Sequence, residues 1–262
     1  MLDVLSYVNE RKRAMAYEVS RLPRAPRLAI VTDDRNFGAN QSYIRSKTQF
    51  ALDVGVACDV IVLKDEDEFI ANAADYDGII VQYPFRDYTF SEFRDFVSTH
   101  VPLDKDVDGL GYYASYKPCT PLGIYNYLEQ LRATDVIKGH VTVNVVGCGG
   151  LVGEPLVNML LKDSRYTVCV TRSTTPPNVA KEFEQCANVV VCATPKHNLI
   201  EYPDLYKVYV DCGCNLVNGK LLGNVSRQAY CEEALITPVP NGVGRLTVLA
   251  LFDNVLTAYQ EN

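Results

Sequence analysis

The sequence predicts a two-domain α/β protein in which helices cover mostly parallel sheets. Short apolar runs rich in β-branched residues alternate with segments of helical spacing along most of the chain. A glycine cluster separates one of these runs from the helix after it, as in dinucleotide-binding folds. The 262 residues exceed the usual length of one small domain. We therefore predict a first domain over 1–121, completed by a returning C-terminal helix over 246–262, and a Rossmann-type domain over 122–245.

The first part of the chain follows a strand and helix alternation after an N-terminal helix. Pro84 ends the last of these strands, because proline cannot continue a ladder of backbone hydrogen bonds. Between the second and third strands, DEDEFIANAA has a helical appearance. The predicted elements are strands RLAIVTD (27–33), CDVIVL (58–63) and GIIVQY (78–83), with a helix over 41–54.

A long segment without periodicity, residues 101–121, precedes the second alternating part. Its prolines, glycines and aspartates predict an ordered loop, and such loops often carry function. A helix is predicted to begin near Pro121, which suits a first turn. The final segment, 246–260, is apolar on most faces, which predicts a buried helix. Four further strands are predicted from TVNVVG (142–147), TVCVTR (167–172), NVVVCAT (188–194) and VYVDCG (208–213).

Composition narrows the function classes. A formal charge of −7 argues against a nucleic-acid partner. No apolar run approaches the roughly 20 residues that span a bilayer, and the N-terminus lacks a secretory signal, so we expect a cytoplasmic protein with no membrane partner. The nine cysteines are scattered, and we expect them to be reduced.

No metal site is predicted. Cys212 and Cys214 form a CxC pair without a second pair at zinc-finger spacing. Asp104, Asp106 and Asp108 resemble the start of a calcium loop, but the position that would need a glutamate holds Ser115.

The glycine-rich turn predicts a dinucleotide site. Gly147, Gly149, Gly150 and Gly153 lie between a predicted strand and helix, where glycines let the backbone approach a pyrophosphate. Cys148 and Val152 belong to the same turn. A tight turn that binds nothing is the alternative at this point. At the end of the next strand, Arg172, Ser173 and Thr175 occupy the position that senses the adenosine ribose, and an arginine there favours NADP over NAD.

Tyr43 and Lys47 are four residues apart on the predicted helix. Positions i and i+4 share one helix face, so the phenol and the ammonium are expected to meet. A solvated helix face is the alternative for this pair alone. Gln82 at a strand end and Asp108 beside Gly109 have equally plain alternatives, a polar cap and a turn residue.

Six motifs taken together resemble the bifunctional methylenetetrahydrofolate dehydrogenase/cyclohydrolase family. They occur in the family's order and cover most of the chain: SYIRSK, GIIVQYP, DKDVDG, KPCTPLG, the VGxP of Val152 to Pro155, and ITPVPNGVGRLT. The resemblance implies a folate-binding catalytic domain, a nicotinamide-binding domain, a homodimer and a role in one-carbon metabolism that supports purine biosynthesis. The implied reaction is NADP-dependent oxidation of methylenetetrahydrofolate, with NAD as the other cofactor, followed by hydrolysis to formyltetrahydrofolate.

The resemblance also assigns roles to residues. Lys47 is implied beside the folate as the group that moves protons during hydrolysis, with Tyr43 and Gln82 orienting it. Asp108 is implied to bind the amino-pterin ring, whose N–H groups suit a carboxylate. Pro240 and Gly242 are implied in substrate binding.

The chain departs from the family's pattern at two sites. In the cofactor turn, Gly147-Cys148-Gly149 lacks the usual arginine or serine, and Arg172 replaces a histidine and can supply the missing charge. Near the end, Asn241 replaces a glycine and Arg245 a proline. Asn241 can adopt the left-handed backbone. Arg245 has three alternatives, which are the substrate tail, the cofactor and solvent.

Three other functions stay open from the sequence. The chain could be a dehydrogenase that has lost hydrolysis, because the altered surroundings of a lysine decide its proton chemistry. It could be a non-catalytic folate- or nucleotide-binding module, given the altered turn. A generic NAD-dependent dehydrogenase explains the motifs less well.

Overall fold

Parallel strands form the centre of each of two compact units in the computed structural model, which describes residues 2–64, 73–226 and 235–261. The first unit comprises residues 9–119 and 248–262, and the second comprises residues 1–8 and 120–247. This grouping differs from the sequence expectation by assigning residues 1–8 to the second unit. The functional boundaries expected from the sequence stay a prediction.

In the first unit, the described strands pair in the order β2-β1-β3, all parallel. Helix α2 connects β1 to β2 in a βαβ crossover. Because β1 and β3 are parallel neighbours, their carboxyl ends lie at the same edge of the sheet. The elements are α1 (Val4–Val19), β1 (Arg27–Asp33), α2 (Phe37–Val54), β2 (Ala57–Leu63), β3 (Gly78–Val81) and α3 (Phe90–His100), with a 3-10 turn at Ala73–Asp75.

In the second unit, the described strands form a parallel sheet of order β10-β7-β6-β4-β5, beside a small antiparallel hairpin of β8 and β9. Strand β6 is buried along its whole length, as expected when helices cover both faces. The elements are α4 (Cys119–Ala133), β4 (Val141–Val146), α5 (Gly153–Leu160), β5 (Tyr166–Thr171), α6 (Pro177–Cys186), β6 (Val189–Cys192), β7 (Val208–Asp211), β8 (Asn215–Val217), β9 (Lys220–Leu222) and β10 (Leu235–Ile236). The last helix, α7 (Val243–Glu261), begins in the second unit, and its residues from 248 onward belong to the first.

The C-terminal helix α7 confirms the predicted return to the first part of the chain, because residues 248–262 belong to the first unit. Its Asn254 is buried, and the Asn254 amide donates to the carbonyls of Val107 at 2.9 Å and Lys117 at 3.0 Å. Phe50 of α2 and Phe252 stack with ring centroids 4.8 Å apart. The helix therefore supports the loop that carries Asp108.

Several elements differ from the sequence expectation. Helix α2 begins at Phe37 rather than at residue 41, and α3 was not predicted. A capping box between Thr89 and Glu92 starts α3. Of the helical-looking segment 65–74, residues 65–72 lie outside the described residues. Within the described residues, no helix is both long enough and apolar enough to cross a membrane.

Candidate active site

A buried lysine meets a glutamine at the carboxyl edge of the first sheet. Lys47 on α2 has 7% of its surface exposed, and its Nζ donates to Oε1 of Gln82 at 2.8 Å. Gln82 directly follows β3, and its own Nε2 donates to the carbonyl of Tyr83 at 2.8 Å, which fixes which end of the amide faces the lysine. Tyr43 lies one helical turn earlier with 52% of its surface exposed. The structure thus brings Lys47 and Gln82 together and leaves the Tyr43 ring accessible.

Asn40 is a buried residue at this edge that the sequence analysis did not select. Its amide nitrogen donates to the carbonyl of Pro84 at 2.8 Å and, at longer range, to the Gln82 carbonyl and the Thr32 hydroxyl. The side-chain oxygen is buried with no hydrogen-bond partner. Asn40 lies seven residues before Lys47, two turns along the same helix face, and this spacing could have identified it.

Asp33 fixes the start of α2 against the segment after β3. The carboxylate accepts the backbone N–H groups of Arg35, Asn36 and Arg86 at 2.7 to 3.1 Å. Burial opposes its ionisation, yet these hydrogen bonds hold the pKa of Asp33 below its ordinary value. The end of β1 is therefore tied to the segment that follows Gln82.

The loop that carries Asp108 is fixed to β3. The Ile79 amide donates to the Lys105 carbonyl at 2.7 Å, and Ile79 pairs with Asp106 in a parallel bridge. The Asp108 carbonyl accepts the Cys119 amide at 3.2 Å. Asp108 itself is half-buried. Its backbone is therefore held on both sides, while the residue keeps partial access to solvent.

Asp106 supports this loop from inside. Asp106 is 3% exposed, and its carboxylate accepts the amides of Gly109 at 3.0 Å and Gly111 at 2.8 Å. Burial raises the pKa of Asp106 to about 6, the nearby Asp108 charge adds to the increase, and the amide hydrogen bonds oppose it. The sequence leaves Asp106 as a structural or supporting residue, and the structure shows it as the buried support of the Asp108 loop.

We predict a specific pH dependence of stability from Asp106. Because the folded carboxyl holds its proton to higher pH than the unfolded one, stability should fall by about 1–3 kcal/mol as pH rises from about 4 to about 6. Urea unfolding across this range, compared with Asp106→Asn, isolates the contribution. If the free energy of unfolding changed equally with pH in the two proteins, the prediction would be contradicted.

The buried Cys119 thiol lies within electrostatic range of both Lys47 and Asp108. Burial is the main cause that raises the pKa of Cys119 well above its ordinary value; the Asp108 charge adds to the increase and the Lys47 charge opposes it. Both charged groups therefore lie within electrostatic range of one buried sulfur atom. This places the predicted proton-transfer lysine and the predicted ring-binding carboxylate in one region of the first unit.

The glycine turn of the second unit has two structural glycines and two open ones. Gly147 has a φ of +96°, and a Cβ there would lie 2.3 Å from the Ala193 carbonyl oxygen. A Cβ on Gly153 would lie 2.2 Å from the Gly147 carbonyl oxygen. Gly149 and Gly150 are exposed, with nothing within 4 Å of a Cβ. This turn at the start of α5 fits a dinucleotide, because open glycines let a pyrophosphate approach the backbone.

The remaining turn residues and the predicted ribose-sensing residues also lie in the second unit. Cys148 is buried and Val152 precedes α5 directly. The Arg172 amide donates to the Thr175 hydroxyl at 2.9 Å, and the Thr175 amide donates to the Arg172 carbonyl at 3.0 Å. The side chains of Arg172 and Ser173 are exposed. A closed turn thus presents an arginine and a hydroxyl just beyond β5.

The loop before α7 has an unusual backbone. Val239-Pro240 is a cis peptide, Asn241 has a φ of +77°, and a Cβ on Gly242 would lie 2.2 Å from the Pro238 carbonyl oxygen. Asn241 therefore adopts the left-handed conformation expected for it. Arg245 is exposed, and its guanidinium donates to the Asn241 side chain at 3.0 and 3.2 Å. Of the three alternatives for Arg245, the structure shows a local contact at the surface.

The described residues contain no group of three or more metal-ligating side chains. All the described cysteines are free thiols, as expected.

The two parallel sheets, the glycine turn and the buried lysine define an α/β enzyme class with a Rossmann-type nucleotide-binding unit. The model of the tetrahydrofolate dehydrogenase/cyclohydrolase NAD(P)-binding domain matches residues 118–262. The chain belongs to the tetrahydrofolate dehydrogenase/cyclohydrolase family, which confirms the resemblance found in the sequence.

Its relatives match over nearly their whole length. The bifunctional protein FolD of Hydrogenobaculum sp. (strain Y04AAS1) is 34% identical, covering 100% of this chain and 99% of that protein. The bifunctional protein FolD of Staphylococcus aureus (strain MRSA252) is 32% identical, covering 98% and 96%. Among solved structures, the bifunctional 5,10-methylenetetrahydrofolate dehydrogenase/cyclohydrolase from Thermoplasma acidophilum is 25% identical with a TM-score of 0.82, covering 98% and 97%.

Proposed function

We propose that this enzyme oxidises methylenetetrahydrofolate to methenyltetrahydrofolate with a nicotinamide dinucleotide and then hydrolyses the product to formyltetrahydrofolate. The observation that carries the proposal is the buried Lys47 amine, which donates to Gln82 at 2.8 Å. In a chain of this family, a buried lysine at the carboxyl edge of a parallel sheet is the group best suited to the proton transfers of hydrolysis.

The dehydrogenase step depends on binding and orientation. When bound, the nicotinamide ring accepts a hydride from the one-carbon bridge, a reaction that needs alignment more than an acid or a base. Asp108 orients the folate by accepting N–H groups of the amino-pterin ring. The open backbone at Gly149 and Gly150 would hold the pyrophosphate of the dinucleotide.

The cyclohydrolase step needs protons to move. Water adds to the methenyl carbon and loses both of its protons as its oxygen becomes the formyl oxygen, the bond from this carbon to one ring nitrogen breaks, and that nitrogen gains one proton. The net reaction releases one proton. We assign the proton transfers to Lys47, with the side-chain Oε1 of Gln82 orienting its amine and Tyr43 lining the same helix face.

For the cofactor, we propose NADP ahead of NAD. Arg172 is exposed at the end of β5, where a cation favours a 2′-phosphate. The family's NAD(P)-binding domain description is compatible with either. Initial rates with methylenetetrahydrofolate and each dinucleotide, supplied separately, test both parts of the proposal. Faster reduction of NADP is expected, while no reduction of either would contradict the dehydrogenase function.

We predict that Asp108→Asn raises the KM for methylenetetrahydrofolate by about ten- to a hundredfold, because the neutral amide loses charge-assisted hydrogen bonds to the ring. The KM for the dinucleotide should change little. Asp104→Asn is a matched control, since Asp104 is an exposed carboxylate in the same loop. Equal folate KM values for the two variants would refute the role of Asp108.

Three finer expectations stay proposals: a homodimer, a cytoplasmic location and a contribution to purine biosynthesis. The family resemblance supports the homodimer and the contribution to purine biosynthesis. Light scattering, cell fractionation and the purine requirement of a deletion strain would test them in turn.

A further inference from the structure

A polar network in the second unit connects the end of β7 to the loop after β6. Asp211 is the last residue of β7, and Asn224 follows β9. Both are buried, at 1% and 0% exposure. We propose that Asp211 and Asn224 are positioning residues that hold the 193–196 loop against the glycine turn and thereby set the affinity for the dinucleotide. This inference depends on the proposed function.

Asp211 gathers three backbone amides. Its carboxylate accepts the amides of Gly213 at 2.9 Å, Asn224 at 2.8 Å and Val225 at 2.9 Å. A Cβ on Gly223 would lie 2.0 Å from the Asp211 carboxylate, so only glycine fits there. The carboxylate therefore fixes the backbone around Asn224 in place.

Asn224 extends this order to the neighbouring loop. Its side-chain amide donates to the carbonyl and the hydroxyl of Thr194, both at 2.9 Å, and to the carbonyl of Lys196. Lys196 is exposed and Thr194 is half-buried. The fully buried Asn224 therefore holds a solvent-exposed loop through hydrogen bonds from its interior side.

The held loop touches the cofactor turn directly. A Cβ on Gly147 would lie 2.3 Å from the Ala193 carbonyl oxygen and 2.8 Å from the Thr194 methyl carbon. The Gly147 backbone therefore packs on the loop with no room for a side chain. Displacement of Thr194 would move the surface on which the turn rests.

The network requires a donor at position 224. The atoms facing the Asn224 amide nitrogen are oxygen acceptors, and the Asn224 side-chain oxygen is buried with no partner. A carboxylate at this position would face carbonyl oxygens without a proton to share, which is unfavourable in a buried site. Asn224→Asp is thus a nearly isosteric change that removes the donor and, when the new carboxyl is ionised, adds a buried negative charge.

The test measures dinucleotide binding and the hydrolysis rate separately. This is possible because hydrolysis of methenyltetrahydrofolate needs no hydride acceptor. For Asn224→Asp we expect the Kd and KM for NADP to rise about tenfold or more, with the methenyl hydrolysis rate and folate KM near wild type. Thr194→Val, which removes one acceptor of the Asn224 amide, should move the NADP Kd in the same direction and serves if the first variant fails to fold. Asn188→Ala is the control, since Asn188 accepts the Thr142 amide at the opposite end of the same sheet.

A pH series adds a readout that simple loss of structure would not give. Protonation of the introduced carboxyl restores one donor, so NADP affinity of Asn224→Asp should partly recover at lower pH relative to wild type. An unchanged NADP Kd in the folded variant would overturn the inference. So would equal losses of NADP binding and hydrolysis, which indicate a purely structural role. If the wild type lacks both activities, the proposed function fails instead, whereas NADP calorimetry still tests the network.

Discussion

Lys47→Met is expected to abolish hydrolysis of methenyltetrahydrofolate, by about 10²- to 10⁴-fold, while NADP reduction continues. The reason is that methionine keeps the length and burial of the side chain but cannot hold or transfer a proton. Oxidation by hydride transfer requires no such group. The substrate would therefore accumulate as the methenyl form, which absorbance follows directly.

A second buried lysine offers a matched control. Lys207 is 9% exposed, and its Nζ donates to the carbonyls of Glu184 and Gln185 near the end of α6. Lys207→Met should reduce stability without a selective loss of hydrolysis. If Lys47→Met hydrolyses the methenyl form at the wild-type rate, Lys47 is not the proton-transfer group.

Gly147→Ala should lower the free energy of unfolding of the second unit by about 3 kcal/mol or more and severely weaken NADP binding. The positive φ disfavours alanine by about 1–2 kcal/mol, and the Cβ contact with the Ala193 carbonyl must also be relieved. Denaturant unfolding and NADP calorimetry measure the two effects. Hydrolysis should persist wherever the first unit stays folded.

A variant of Gly139 serves as a control that separates the cost of backbone strain from the cost of the close Cβ contact at Gly147. Its φ is +62°, yet nothing lies within 4 Å of a Cβ there. Gly139→Ala should therefore cost only about 1–2 kcal/mol and leave NADP affinity intact. Similar NADP affinities for the two variants would show that the close approach at Gly147 does not matter for the cofactor.

Periodicity predicted the strands well, because buried parallel strands are nearly continuous apolar runs. The run RLAIVTD coincides with β1, and all the predicted strands occur. Helix α3 was missed because its signal is a short amphipathic segment that starts at a Thr89 capping box, immediately after a proline-containing turn. The short strands β8 to β10 are too brief to show a period.

The site residues likewise divide into those that sequence motifs predicted and those that only the tertiary structure shows. Lys47 and Gln82 were selected by motif, and the structure joins them in one hydrogen bond. Asn40 and Asn224 were not selected, because a single asparagine has no sequence signature until tertiary structure shows which acceptors it meets. Arg245 had three open alternatives, and only the three-dimensional structure shows that its guanidinium donates a hydrogen bond to the Asn241 side chain.

The most direct test of the bifunctional assignment is one progress curve of the purified protein with methylenetetrahydrofolate and NADP, following reduced nicotinamide and methenyltetrahydrofolate together. We predict that reduced nicotinamide rises while the methenyl form stays low, because hydrolysis at Lys47 keeps pace with oxidation. Methenyltetrahydrofolate rising in step with reduced nicotinamide would contradict the hydrolase assignment, and no reduction with either NADP or NAD would contradict the enzyme assignment as a whole.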